Sequence, residues 1–264
     1  MTVNRTRGRL YLLPNLLDER DSPEASIPAV ALDAFRRIRR YVVEGEKSAW
    51  RLLSRILDRV ALDEVRLDRL DEHSDPRNLP DLLLAAETGE DIGLLSEAGV
   101  PCIADPGGAL VALAHDRGIT VVPTGGPSSL LLALSASGLD GQRFSFLGYL
   151  PQDQAARRAA LATIDRSVAA DGGTMIFIET PYRNTKVVED CLSVLSPARR
   201  LCVAASLGSP EQRIRSCSVK EWKEGGWRPG KEAAIFLVGR VPGISLDRPF
   251  AAGHSKSVCK NRRH

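Results

Sequence analysis

Two α/β domains are what this sequence predicts, and three observations carry that prediction. Strand-like and helix-like segments alternate through the first half of the chain. Two of the strand-like segments, 92–95 and 119–122, are apolar almost throughout. Around residues 139–150 the rhythm changes, and Pro151 closes a new strand. Apolar strands alternating with helices make a parallel sheet covered on both faces. The 264 residues, 43% hydrophobic and 26% charged, suffice for two cores and exclude whole-chain disorder or a fibrous repeat. The boundaries read as 1–140 for an N-terminal domain with a parallel sheet and 141–242 for a C-terminal domain with a mixed sheet. Residues 243–264 read as a basic tail, expected to be disordered.

The elements follow in order. Arg9 to Leu13 opens as a strand. Residues 28–39 place Val30, Leu32, Phe35 and Ile38 at helical spacing, with a basic outer face. A short strand at 41–44 precedes a helix at 48–57, where Trp50, Leu53 and Leu57 recur at spacings of three and four. A helix at 79–87 ends at Gly89, and a strand follows at 91–95. The helix at 106–117 has Asp105 as its expected cap, Pro106 at its first position and Gly118 beyond its end. A strand at 119–122 and a helix at 128–137 complete the first half. Beyond it come strands at 144–148 and 174–178, a helix at 155–170, and a helix opened by Thr180 and Pro181. Three further strands are expected at 201–205, 213–219 and 233–239. The polar, Gly-rich stretch between the last two suits an antiparallel pair.

Composition sets other limits. The five cysteines form no Cys-x-x-Cys pair, so neither a zinc site nor a disulfide framework is supported. No metal site is expected. No segment approaches the roughly 18 apolar residues that cross a bilayer, and no apolar stretch follows the basic N-terminus. A soluble cytoplasmic protein with no membrane partner is the expectation. The net charge of +3 is uneven: Arg248, Lys256, Lys260, Arg262 and Arg263 meet no acid in residues 248–264. That tail reads as a solvated terminus or as a weak tether for nucleic acid. The run Arg36, Arg37, Arg39 and Arg40 reads as a solvated helix face or as an RNA-phosphate surface.

Two loops could carry chemistry. Residues 96–108 and 123–129 each follow a buried strand and precede a helix. In a parallel sheet both lie at the carboxyl edge, where open α/β sheets bind ligands. Ala98, Gly99, Gly125 and Gly126 are small enough for a ligand to meet backbone there. Ser128 and Ser129 open a helix with free N–H groups. Dinucleotide, P-loop and nucleophile-elbow signatures are absent.

Taken whole, the pattern is more specific. Residues 93–107 (GLLSEAGVPCIADPG) resemble the S-[DE]-A-G-x-P-x-[IV]-[SA]-D-P-G signature of the tetrapyrrole methylase superfamily. More closely, they resemble its branch of small-subunit ribosomal RNA ribose methyltransferases. Residues 121–129 with 133–139, 144–151 (FSFLGYLP) and 178–183 (IETPYR) are similar to later blocks of that branch, in the same order. The resemblance runs from about residue 9 to 240. It implies a tetrapyrrole methylase-like fold, with S-adenosylmethionine held in a cleft between two α/β domains of a homodimer. It places Ala98, Gly99, Val100 and Ile103 on the loop holding the methionine and ribose portion. Pro14 falls at the end of the first strand, Ser128 and Ser129 after the third sheet loop, and Ile178 and Gly208 on the second domain over the adenine.

Departures from the branch fall where the methyl acceptor is expected. The first loop, 14–23, is longer, acidic and lacks glycine. Residues 43–47 keep Glu44 but lose the branch's Asp and Thr, and Lys47 replaces Arg. Residues 204–208 replace an E-L-T-K block. A ribose hydroxyl needs a proton acceptor during methyl transfer. Glu97, Glu44, Asp105 and Glu179 are candidates; Glu97 comes first, and Asp105 is taken by its cap role. Arg183 opposes a helix macrodipole, which suggests that it is held for phosphate, with a salt bridge as the alternative. His73 is the remaining loop histidine near the expected cleft. Three functions stay open: methylation of ribosomal RNA ribose, methylation of a small molecule such as a tetrapyrrole, and cofactor binding without catalysis. A positive rim would favour the first, a deep apolar cavity the second, and a cleft filled by loop 14–23 the third.

Overall fold

The computed structural model describes residues 7–242. The basic tail at 243–264 and Cys259 lie outside the described residues. The first five strands are β1 (Arg9–Leu13), β2 (Arg40–Val43), β3 (Arg66–Arg69), β4 (Ile92–Leu95) and β5 (Thr120–Pro123). They form one parallel sheet in the order β3-β2-β4-β1-β5. The next five are β6 (Phe144–Tyr149), β7 (Thr174–Glu179), β8 (Arg200–Ala205), β9 (Arg213–Ser218) and β10 (Ala234–Gly239). Their sheet is mixed, in the order β6-β7-β10-β8-β9.

β1 and β4 are apolar because both faces of the first sheet are covered. On one face Leu13, Tyr41 and Leu95 pack with Phe35 and Leu53, from helices Ala29–Arg37 and Glu46–Ile56. On the other, Leu10, Ile92 and Leu94 meet Leu110 and Ala114 of helix Gly108–Asp116. The wholly buried Tyr41 hydroxyl donates to the carbonyls of Phe35 and Ile38, so its burial leaves no polar group unpaired. Trp50 is not on the buried face of its helix; Ala49, Leu52 and Leu53 form it.

In the second sheet Phe177 and Phe236 stack with ring centroids 5.2 Å apart. Helix Gln154–Asp171 is tied to helix Asn184–Val194 through Arg157 and Asp190, both side chains 4% exposed. Helix Ser129–Ser137 joins the two halves. Its Ala133 and Leu134 pack with Ile176, Cys202 and Leu237 of the second sheet.

Several elements differ from the sequence reading. β9 does not pair with β10: both run antiparallel to β8, on either side of it. β10 thereby reaches between β7 and β8, where its six residues are all buried. β3 was not expected, because its alternating Arg-Leu-Asp-Arg suits an exposed edge and lacks an apolar run. The expected helix at 79–87 is two short turns, Leu79–Leu82 and Leu84–Glu87. Helix 106–117 starts two residues late, at Gly108, with Gly107 as its cap. Asp105 is therefore not the cap, and the turn before the helix is free for another use.

Candidate active site

The loops after β1, β4 and β5 meet at the carboxyl edge of the first sheet. Asn15 and Gly99 exchange backbone hydrogen bonds of 2.8 and 3.1 Å. The Asn15 side-chain amide donates to the carbonyls of Ser96 and Glu97. The Val100 amide donates to the Pro127 carbonyl over 3.1 Å. Gly99 has φ +70°, and a Cβ there would stand 2.9 Å from the Pro127 oxygen. Gly126 has φ +148°, and a Cβ there would collide with Pro14. Glycine is required at both because the three loops pass this close.

A cleft of about 540 Å³ opens between this edge and the second sheet. Ala98, Ile103 and Ser129 line it from the first half, and Ile178 lines it from the second. Pro14, Gly99, Val100 and Ser128 lie outside the lining and brace the wall behind it. Ser128 caps helix Ser129–Ser137 by accepting the Leu131 amide. Gly208 stands between the lining residues Leu207 and Ser209 and packs against Leu17 of the first loop.

Loop 14–23 borders the cleft and does not fill it. Leu17, Asp18 and Arg20 contribute to the lining. Arg20 holds Asp18 at 2.7 Å and also donates to Glu211 at 2.9 Å, on the turn before β9. The loop is thus strapped to the second half of the chain. This guanidinium keeps Asp18 at about 2 and lowers Glu211 as well.

The candidate acids separate. Glu97 is exposed and faces a hollow of about 30 Å³ beside Asn15 and Arg51, outside the cleft lining. Glu44 is partly buried; burial raises its pKa, while its carboxylate accepts the Glu97 amide at 3.2 Å. Glu179 borders the cleft, yet its side chain is wholly buried and bound by Arg183. Arg183 makes 2.8 and 2.7 Å bonds to Glu179 and a 3.3 Å bond to the Leu150 carbonyl. Of its two readings, the salt bridge is the one the structure shows; its charge is neutralised and it does not line the cleft.

Asp105 does line it. Its Oδ2 is shut off from solvent and accepts no hydrogen bond. Burial foremost, then the charges of Glu44 and Glu97, raise it to about 7 against the opposing Ser96 hydroxyl. Tyr149 stands on the other half of the lining, where a bulge at Gly148 breaks the β6–β7 register and sets its side chain 59% exposed. Burial raises Tyr149 first, and the Asp105 charge next. The sequence hid both residues: a plausible cap accounted for one, and the other was a letter in a motif.

Asp18, Asp105, Glu179 and Glu232 all line the cleft, but Arg20 pairs with Asp18 and Arg183 with Glu179. The basic run at 36–40 offers no free positive surface. Arg36, Arg39 and Arg40 pair with Asp33, Glu64 and Asp68, and Arg37 lies 3.9 Å from Asp91. His73 is exposed beside Glu72. Among the described residues, no group of three His, Cys, Asp or Glu is placed to hold a metal ion. No described helix is long and apolar enough to cross a membrane.

Known proteins resemble this chain in sequence and fold. The family model described as Tetrapyrrole (Corrin/Porphyrin) Methylases matches residues 42–223. Ribosomal RNA small subunit methyltransferase I of Escherichia coli O157:H7 is 31% identical over 220 residues, covering 83% of this chain and 72% of that protein. The Pseudomonas aeruginosa protein of the same name is 37% identical over 158 residues, 60% of this chain and 55% of its own length. The crystal structure of uroporphyrin-III-C-methyltransferase from Thermus thermophilus aligns over 89% of this chain and 93% of that one, with a TM-score of 0.52 at 20% identity. That likeness concerns the fold. With the family model spanning both halves of the cleft, the chain belongs to the tetrapyrrole (corrin/porphyrin) methylase family.

Proposed function

We propose that this chain is an S-adenosylmethionine-dependent methyltransferase acting on a ribose hydroxyl of small-subunit ribosomal RNA. The observation that carries the donor is the cleft itself. On its first wall the small side chains of Ala98, Ala104 and Ser129 stand between the larger Leu17, Ile103 and Leu130 at the carboxyl edge of a parallel sheet. Its second wall offers Ile178, Ala204, Leu207 and Ile235, an apolar bed suited to a purine ring. Ala98, Ile103 and Ser129 would hold the amino-acid and ribose portion. When bound, the donor supplies an activated methyl carbon. The chain's own part is to align it, keep water out and accept a proton.

The names and identity of the relatives support ribosomal RNA as acceptor. So does the excess positive charge of residues 248–264. We read the protein as a cytoplasmic homodimer. Phe144 and Leu147 on the edge strand β6 are exposed apolar groups that a second copy would cover. Ribose-methylation mapping of ribosomal RNA from cells with and without the gene tests the acceptor. One ribose methyl group missing from the small subunit is the expected result. An unchanged map, with donor binding intact by calorimetry, would turn the reading toward a small-molecule acceptor.

A further inference from the structure

The turn from Pro101 to Gly107 carries costs that the fold does not explain. Cys102 and Ala104 both hold positive φ, 67° and 69°. Each such non-glycine residue is held in a strained backbone conformation. Asp105 Oδ2 is buried without a hydrogen-bond donor, a further cost to the folded chain. Helix Gly108–Asp116 draws nothing from this arrangement, since no side chain caps it and no acid stands in its first turn. Strain and a buried carboxylate oxygen without a hydrogen bond, held at the edge of a cleft, are the marks of a working group.

We propose that Asp105 is the general base that accepts the proton of the methyl acceptor's hydroxyl. This rests on the methyl-transfer reading above and assigns its missing proton acceptor. The acceptor O–H bond breaks and its proton moves to the Asp105 carboxylate. The electron pair left on oxygen forms the new bond to the methyl carbon, and the pair of the broken carbon–sulfur bond stays on sulfur. Geometry selects Asp105 over its neighbours: Glu97 opens on the other hollow, Glu44 lies outside the lining, and Glu179 is bound by Arg183. Tyr149, in the opposite part of the same lining, offers an aromatic face on which an unstacked base can lie.

The groups acting on Asp105 are acids or neutral side chains. Glu44 approaches from the end of β2, Glu97 and Ser96 from the start of the same loop, Cys102 from within the turn, and Tyr149 from β6. Negative neighbours and burial keep this carboxyl basic enough to work near neutral pH.

The test uses the full chain with Asp105→Asn and Asp105→Glu. Carboxyl carbon NMR of the free protein should show one aspartate titrating near 7 that Asp105→Asn removes and Glu44→Gln lowers. Calorimetry with S-adenosylmethionine should find donor affinity within about threefold of wild type in Asp105→Asn, since the methyl donor's own contacts remain. Single-turnover methylation of small-subunit ribosomal RNA should fall about 100- to 10,000-fold. The acidic limb of its pH profile should disappear, and Asp105→Glu should restore part of the rate with a displaced limb. A wild-type chain that methylates nothing overturns the proposed function and the base with it. An active wild type whose Asp105→Asn form keeps both rate and acidic limb overturns the base alone.

Discussion

The amide of Val100 donates to the carbonyl of Pro127 across 3.1 Å, joining the loop after β4 to the loop after β5. Residues far apart in sequence thereby share one wall, and Gly99 sits in the join. From sequence alone, Gly99→Val is expected to block a ligand and spare the fold. The structure corrects this. A side chain at 99 would meet the Pro127 oxygen at 2.9 Å, on a backbone with φ +70°. Gly99→Val should destabilise the protein by about 1–3 kcal/mol as well as abolish donor binding. Urea titration and calorimetry on the same preparation check both effects.

Asp105 gives a pH-dependent stability. Its folded pKa of about 7 lies above the ordinary 3.8, so the folded state binds the extra proton between those values. The contribution is complete below about 3.8 and is lost as pH rises through about 7. Asp105→Asn should flatten this slope. At pH 8 it should stabilise the protein by about 1–2 kcal/mol, a figure reduced for the group's partial exposure. Denaturant titrations at pH 5 and pH 8 measure it. A gain in stability with a loss of activity is the expected pairing for a strained working group.

The strap from loop 14–23 to Glu211 is solvent-exposed, with side-chain exposures of 60% and 61% for Arg20 and Glu211. Its effect should be on motion more than on melting. Glu211→Gln should leave the melting temperature nearly unchanged and speed amide exchange at residues 16–21. Lowering pH should have the same effect: Asp18 and Glu211 are depressed, so their contribution is present above the ordinary carboxylate range and fades as pH falls toward about 2. Exchange measured at several pH values reads this directly.

The Arg157–Asp190 pair makes the opposite case, because both side chains are buried. Asp190→Ala leaves a buried guanidinium without its carboxylate and should cost about 3–5 kcal/mol. Replacing both residues with apolar ones of similar volume should recover most of that loss. Urea midpoints of the single and double variants decide it.

Much of this protein was legible in its sequence. The strand–helix alternation, the fully buried β4 and the glycine turns of loops 96–108 and 123–129 are local properties. Hydrophobic period and turn chemistry act over a few residues, so they can be read in a line of letters. The family motifs extended that reading to a cleft and a donor. The structure alone showed that β10 runs between β7 and β8, that Glu179 holds Arg183, that Arg20 reaches Glu211, and that Asp105 caps nothing and keeps one oxygen unpaired at the cleft. Each of these depends on which groups, distant along the chain, arrive beside one another. Short-range preference determines where a strand or turn forms. The partner of a charge, and the solvent left around it, are decided only when the two sheets close on a common cleft.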